Sequence, residues 1–311
     1  LDDTLEVITQ AKIMYKFSDY KKDNYYDQKV ITKDNGDHVH FLVTTTPFNN
    51  LKVETFVVPK ELDTRVVRNK NVWLLGERSD TAQENGITLF KYLSEHTDVD
   101  AYYVIEENSL DYDKIKHLDN VLTFGSLEHY QKSLEAGVLL CTHDFENILP
   151  YKPAPGFFNY EDTVKVFLQH GVLGRKPAEY HKKYYDDPFD LFIVSSDNEK
   201  FDVVMKEMGY NIDEVAVTGL ARFDQLPLDQ KASHILLMPT WRDWINTDEA
   251  FLESEYYRRY KSLIENERLH EVLEANNVYL NFYPHYRAQP FFNADLLETN
   301  DYVNFIELGE R

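Results

Sequence analysis

Val72-Trp73-Leu74-Leu75-Gly76-Glu77-Arg78-Ser79 is the stretch on which the fold turns. Four apolar residues in a row suit a strand buried on both faces, and the glycine and charged residues after them suit a loop at its carboxyl end. A helix is expected next, capped by Asp80 with Gln83 three residues on and running to about Glu95. The alternation then recurs. Tyr102 to Ile105 and Val121 to Thr123 read as strands, and Leu127 to Ala136 as a helix stopped by Gly137. Val138 to Cys141, Val164 to Leu168, Leu191 to Val194 and Val215 to Val217 continue the strand series. Ser196 and Glu199 form a second capping box, opening a helix that ends near Gly209. Such a pattern predicts an α/β fold: a mostly parallel sheet with helices on both faces.

Outside this core the pattern changes. Residues 1 to about 70 read as a small β-rich accessory region, in which Val39, Phe41 and Val43 alternate with His40 and Leu42. Val53, Phe56 and Val58 follow, and Asn35-Gly36 marks a tight turn. Asp229-Gln230-Lys231 reads as a linker. Beyond it come a strand at Ile235 to Met238, one long helix from about Glu249 to Ala275, and strands at Val278 to Phe282 and Val303 to Ile306. The expected domains are therefore the accessory region 1–70, a first Rossmann-like lobe 71–230, and a second lobe 231–311. The second is expected to be incomplete, because about 80 residues are few for a doubly wound domain.

Composition narrows the function. A net charge of −21 speaks against nonspecific nucleic-acid binding, which depends on neutralising phosphates. An anionic substrate would need cations gathered locally against that field. The one cysteine, Cys141, excludes an intramolecular disulfide and a cysteine-rich metal site; within Val138-Leu139-Leu140-Cys141 it is expected to be a buried core thiol. No apolar run approaches the roughly 20 residues that span a bilayer. No leader marks a signal peptide, and the ends carry no obvious signals, so the chain reads as a fragment of something longer.

Candidate site residues cluster at strand ends. His170, in Phe167-Leu168-Gln169-His170-Gly171, and His285, in Tyr283-Pro284-His285-Tyr286-Arg287, each follow an apolar run. In an open α/β sheet ligands bind beyond the carboxyl ends of the strands, and histidine is the usual proton-transfer residue near neutral pH. Gly171 leaves room for a substrate to approach the backbone. Arg78, Arg222 in Thr218-Gly219-Leu220-Ala221-Arg222, and Arg242 in Pro239-Thr240-Trp241-Arg242-Asp243 also stand at strand ends. Each of them fits an ion pair as well as a ligand, and Arg242 can fork onto a diphosphate; with the two histidines they make five cations at strand ends in an acidic chain. Asp111-x-Asp113 reads as a solvated loop rather than a metal site, and no dinucleotide fingerprint, P-loop or nucleophile elbow is present. Cys141-Thr142-His143-Asp144 places thiol near imidazole without making a triad. Arg175, Lys176, Lys182 and Lys183, interleaved with tyrosines, read either as a solvated face or as a contact with an anionic membrane or polymer.

In order along the chain, five segments resemble the bacterial CDP-glycerol glycerophosphotransferase family, which includes teichoic acid primases and polymerases. They are Trp73 to Gly86, Phe167 to Gly171, Thr218 to Asp224, Met238 to Asp243, and Pro284-His285. The resemblance implies a GT-B architecture, a pair of Rossmann-type lobes with a cleft between them, and no cofactor or required metal. It implies His170 as base, with His285 and Arg242 on the donor's diphosphate. Asp243, Arg287, Gly219 and Arg222 are expected to join the donor site, and Arg78 and Gly171 the acceptor side or cleft. One departure is an Asp-Tyr-Ser-Ser type segment of the family's second lobe, which this sequence lacks. The expected reaction moves glycerol phosphate or ribitol phosphate from CDP-glycerol or CDP-ribitol to a lipid-linked polyol-phosphate or saccharide acceptor, releasing CMP. The expected place is cytoplasmic, peripheral at the inner face of the bacterial membrane. The alternatives are a GT-B glycosyltransferase, a nucleotide-sugar epimerase, or an anionic-polymer-binding scaffold.

Overall fold

The computed structural model describes residues 20–174, 180–226, 231–242, 244–245, 247–285, 287–292 and 297–307. The chain divides into two compact units, Leu1–Leu226 and Pro227–Arg311.

In the first unit, β1 (Asp27–Thr32), β2 (His38–Thr45) and β3 (Leu51–Val58) form an antiparallel meander. Gly36 sits at φ +94° in the β1–β2 turn, a left-handed conformation that glycine adopts without a Cβ clash. The more deeply buried side of β2 carries Leu42 and Thr44, not Val39, Phe41 and Val43. Leu42 packs with Ala154 and Phe157, so the meander is fastened to the body of the unit.

That body is a seven-stranded sheet of β4 (Asn69–Gly76), β5 (Asp100–Ile105), β6 (Val121–Thr123), β7 (Ala136–Cys141), β8 (Val164–Phe167), β9 (Leu191–Val194) and β10 (Val215–Val217). Its order is β10-β9-β8-β7-β4-β5-β6 and every pair is parallel. The chain winds outward from β4 to β6, then returns to place β7 on the other side of β4. The order therefore reverses between β4 and β7, which makes that crevice the topological switch point. Buried residues form a separate cluster against each face, one around Leu74, Leu139 and Phe167 and one around Leu75, Tyr103 and Leu140. This explains why the strands read as continuous apolar runs rather than alternating ones.

Three helices flank the sheet: α1 (Asn85–His96), α2 (Tyr112–Ile115) and α3 (Leu127–Glu135). Several local expectations are corrected. The helix after β4 begins at Asn85, not at Asp80, and no local side chain caps it. Its first amides are taken instead by the fully buried Glu77 carboxylate, which accepts from the N–H groups of Gln83 at 2.9 Å, Glu84 at 2.8 Å and Ile87 at 3.0 Å. Asp80 pairs with Arg78. Gly137 does not stop α3; it lies inside β7, where an added Cβ would come within 2.7 Å of the Asn69 carbonyl oxygen. Asp111 is buried rather than solvated, held by the Ala82 amide, Gln83 and Lys114. Half of the Ser196/Glu199 box forms, since Ser196 accepts from the Glu199 amide, but the Glu199 carboxylate turns to Leu173 and Ser195. The element that follows, Glu199–Met205, is a wide π-helical turn.

The second unit holds a parallel sheet of β11 (His234–Leu237), β12 (Tyr279–Phe282) and β13 (Val303–Phe305), in that order. The long helix expected between β11 and β12 is three: α4 (Asp248–Leu252), α5 (Glu255–Ile264) and α6 (Glu267–Asn276). Ser254 and Asn266 break it, each accepting a hydrogen bond from an amide of the helix that follows. Phe251, Ile264, Leu273 and Phe282 form the core.

Candidate active site

Parallel register at the switch point sets Gly76 beside Cys141 and Cys141 beside Phe167. The loops leaving β4, β7 and β8 therefore lie side by side. His170 is held in its loop by four neighbours. Its ring Nδ1 is 2.7 Å from the Thr142 carbonyl oxygen. Arg222 donates to the His170 backbone carbonyl at 3.1 Å. The buried Asn85 amide donates to the carbonyls of Leu168 and Gln169 at 3.2 and 2.6 Å. Glu199, 2% exposed, accepts from the Leu173 amide at 2.6 Å. A carbonyl only accepts, so Nδ1 carries a ring proton, and in the neutral tautomer with that proton the Nε2 lone pair is the one left for a substrate proton.

Two neighbours complete this geometry. His143 lies flat on His170, ring centroids 4.1 Å apart and planes 11° from parallel. Burial, then the repulsion that an imidazolium would meet from a protonated His170 and from Arg78, lower the His143 imidazole to about 4, so it is neutral at pH 7. Gln169, at φ +68°, occupies the left-handed region that a side chain enters only under strain. Its side chain is 1% exposed, and its Nε2 has no hydrogen-bond partner among the described residues. A strained residue with an unused buried donor beside the histidine is the kind of feature a reactive centre retains.

The remaining first-unit candidates have other occupations. The Arg222 guanidinium pairs with Glu84, and its amide donates to Asn85. In this structure it ties the His170 loop to α1, where the sequence had pointed to the donor. Gly219 turns the chain after β10 at φ +82°. Among the described residues nothing lies within 4 Å of where a Cβ would stand on Gly171. Arg78 is exposed and forked onto Asp80. Cys141 is buried, with its thiol pushed up by desolvation, and is no nucleophile. Lys182 pairs with Glu214 at 2.6 Å, and Lys183 lies over the Tyr184 ring. Arg175, Lys176 and Asp243 lie outside the described residues.

The second unit carries its own cluster. The Tyr283 amide donates to the Leu237 carbonyl at 2.9 Å, so the segments leaving β11 and β12 start together. Trp241 is a plate between three groups: Phe251 stacks on it at 5.6 Å, His285 at 5.7 Å, and the Arg287 guanidinium lies 5.9 Å from its ring centroid. Arg242 donates to the Thr240 hydroxyl at 2.8 Å and lies over Tyr256 and Trp244. Among the described residues no carboxylate pairs with Arg242, in a chain where acids far outnumber bases. Arg242 and Arg287 thus set two guanidinium groups at one end of the sheet, with the His285 imidazole stacked beside Trp241.

His143, Gln169, Glu77 and Asn85 were not among the sequence-based candidates. His143 had a visible signal, since it follows β7 as His170 follows β8. Only the strand order shows that those two ends are neighbours. Among the described residues there is no group of three or more potential metal ligands, and no helix is long and apolar enough to cross a membrane.

The family model described as CDP-Glycerol:Poly(glycerophosphate) glycerophosphotransferase matches residues 60–310. The minor teichoic acid biosynthesis protein GgaB of Bacillus subtilis (strain 168) is 31% identical over 263 residues, covering 78% of this chain and 28% of that protein. The chain thus spans little more than a quarter of that relative's length. A solved structure of the wall teichoic acid polymerase TagF aligns with TM-score 0.49 and 12% identity, over 78% of this chain and 63% of that one. A TagF structure soaked with CDPG gives 0.45 and 13%, over 80% and 62%.

Proposed function

The chain belongs to the CDP-glycerol:poly(glycerophosphate) glycerophosphotransferase family, and from that premise we propose that it transfers glycerol phosphate from CDP-glycerol to an acceptor hydroxyl in teichoic acid synthesis. The observation that carries the reading is His170, whose Nδ1 is committed to the Thr142 carbonyl while Nε2 is left for a proton. An alcohol is a poor nucleophile until a base takes its proton, a service worth on the order of 10²–10⁴ in rate. In the proposed step the acceptor hydroxyl gives its proton to His170 Nε2 as its oxygen bonds to the phosphorus that carries glycerol. The bond from that phosphorus to the bridging oxygen breaks, and CMP leaves with the electron pair. Taken by itself, the second unit offers Arg242, with His285 nearby, as the group suited to a diphosphate.

Within this reading the acceptor is lipid-linked, and the protein works at the inner face of the membrane. Docking would draw on Arg175, Lys176, Lys182 and Lys183, with Lys182 having to share its charge with Glu214. The test is direct. The full chain is incubated with CDP-glycerol, CDP-ribitol or a UDP-sugar, with acceptor, and nucleotide release is measured. CMP from CDP-glycerol, lost in His170→Ala, is the expected result. Release from the UDP-sugar alone would favour a glycosyltransferase instead.

A further inference from the structure

A cavity of about 460 Å³ opens between the N-terminal meander and the body of the first unit, within the size range of small-ligand sites. Its wall includes Thr44 and Glu54 from the meander, and Asp144, Lys152 and Tyr160 from the body. Thr44 is 3% exposed, yet its hydroxyl has no partner among the described residues. A hydroxyl buried without a partner is destabilising, and an occupant able to bond it would relieve that cost.

The charges indicate what that occupant is. The three lysines of the wall are all engaged: Lys22 with Asp144 at 2.7 Å, and Lys52 and Lys152 with Glu54 at 2.5 and 3.0 Å. Asp23 and Glu146 add two further carboxyls. A phosphate would meet more negative than positive charge here, whereas a neutral hydroxyl both donates and accepts. At the rim stands Phe48, 86% exposed, an apolar ring beside a polar cavity. It can cover the C–H face of a sugar ring while the wall bonds the hydroxyls.

We propose that this cavity binds an uncharged, sugar-like unit of the acceptor, set back from the hydroxyl that reacts. The proposal rests on the functional reading above and adds a subsite to it. Asp144 on the cavity wall directly follows His143, which stacks on His170, so one loop serves both places. The N-terminal meander thereby becomes part of acceptor recognition rather than an accessory.

The test is a ligand-observed NMR titration of the full chain with N,N′-diacetylchitobiose as neutral probe and glycerol 3-phosphate as charged probe. The neutral sugar should bind, and Thr44→Val should weaken it roughly 2- to 12-fold, the range for one hydrogen bond. Phe48→Ala, at an exposed site that leaves the thermal unfolding midpoint in place, should weaken it as well. No binding of the sugar, preference for glycerol 3-phosphate, or indifference to both variants would overturn the assignment. Because the titration contains no donor, it is independent of CMP release. Failure of that chemistry would remove the functional reading and leave the cavity result to stand or fall alone.

Discussion

The His143 and His170 rings lie face to face, 4.1 Å apart, although they stand 27 positions apart in the chain and follow different strands. The stack exists because β7 and β8 are adjacent and in register at their carboxyl ends. One ring is oriented by a carbonyl and the other is held neutral, a division of labour that can be tested residue by residue.

His170→Ala should lower turnover by roughly 10²–10⁴-fold, the typical share of a general base, with CDP-glycerol affinity little changed. Equilibrium binding and single-turnover CMP release on the same variant separate the two effects. Collapse of binding with turnover preserved would make His170 a ligand-binding residue.

His143→Phe should keep the aromatic stack and remove a titration. The folded-state value of about 4 lies below the ordinary 6.5, so between these the unfolded chain takes up a proton that the folded one refuses. The native protein should therefore lose stability as pH falls from about 6.5 toward 4, and this loss should be missing in the variant. Urea unfolding of both proteins across that range checks it; a stability difference that does not change with pH counts against a neutral His143.

Arg222→Ala should act on turnover rather than on donor affinity, because its guanidinium holds Glu84 and the His170 carbonyl. Glu84→Gln should share the effect, and the two changes combined should cost less than their sum. If CDP-glycerol binding weakens while turnover at saturation is preserved, the arginine contacts the donor as the sequence suggested.

Gln169→Gly should be tolerated by the fold, since it relieves a left-handed φ whose strain costs of order 1–3 kcal/mol. Turnover should nevertheless fall, because the buried Nε2 donor goes with the side chain. Thermal unfolding alongside kcat reads both; unchanged kcat would assign Gln169 to packing alone.

Arg242→Ala should weaken CDP-glycerol binding by about 1.5–3 kcal/mol, roughly 10- to 150-fold, the worth of a charge-assisted hydrogen bond. Arg242→Lys should recover only part of it, because lysine cannot fork onto two oxygens. Calorimetric titration with CMP and CDP-glycerol gives the answer, and parental affinities in Arg242→Ala would take the residue off the donor.

The sheet was legible because its strands are buried on both faces, which makes Val72 to Leu75 or Val138 to Cys141 visible as unbroken apolar runs. The start of α1 was not, because its cap is Glu77, which lies on the preceding strand's loop outside the window of a local capping motif. The three-part helix of the second unit was hidden for the opposite reason. Ser254 and Asn266 are ordinary local caps, but apolar spacing on both sides of them reads as one amphipathic run. The site was half legible. A histidine at a strand end is a linear signal, whereas its partners Thr142, His143 and Asn85 come from other strands and a helix, and only the winding order brings them together.

The burial of Cys141 has a practical side. It is the only thiol in the chain, and desolvation keeps it protonated and out of reach of reagents. A cysteine introduced at an exposed position such as Phe48 would be the one group a maleimide dye can find. The native sequence is thus already a background for fluorescent labelling, and occupancy at the cavity rim can be followed without first removing a residue from the core.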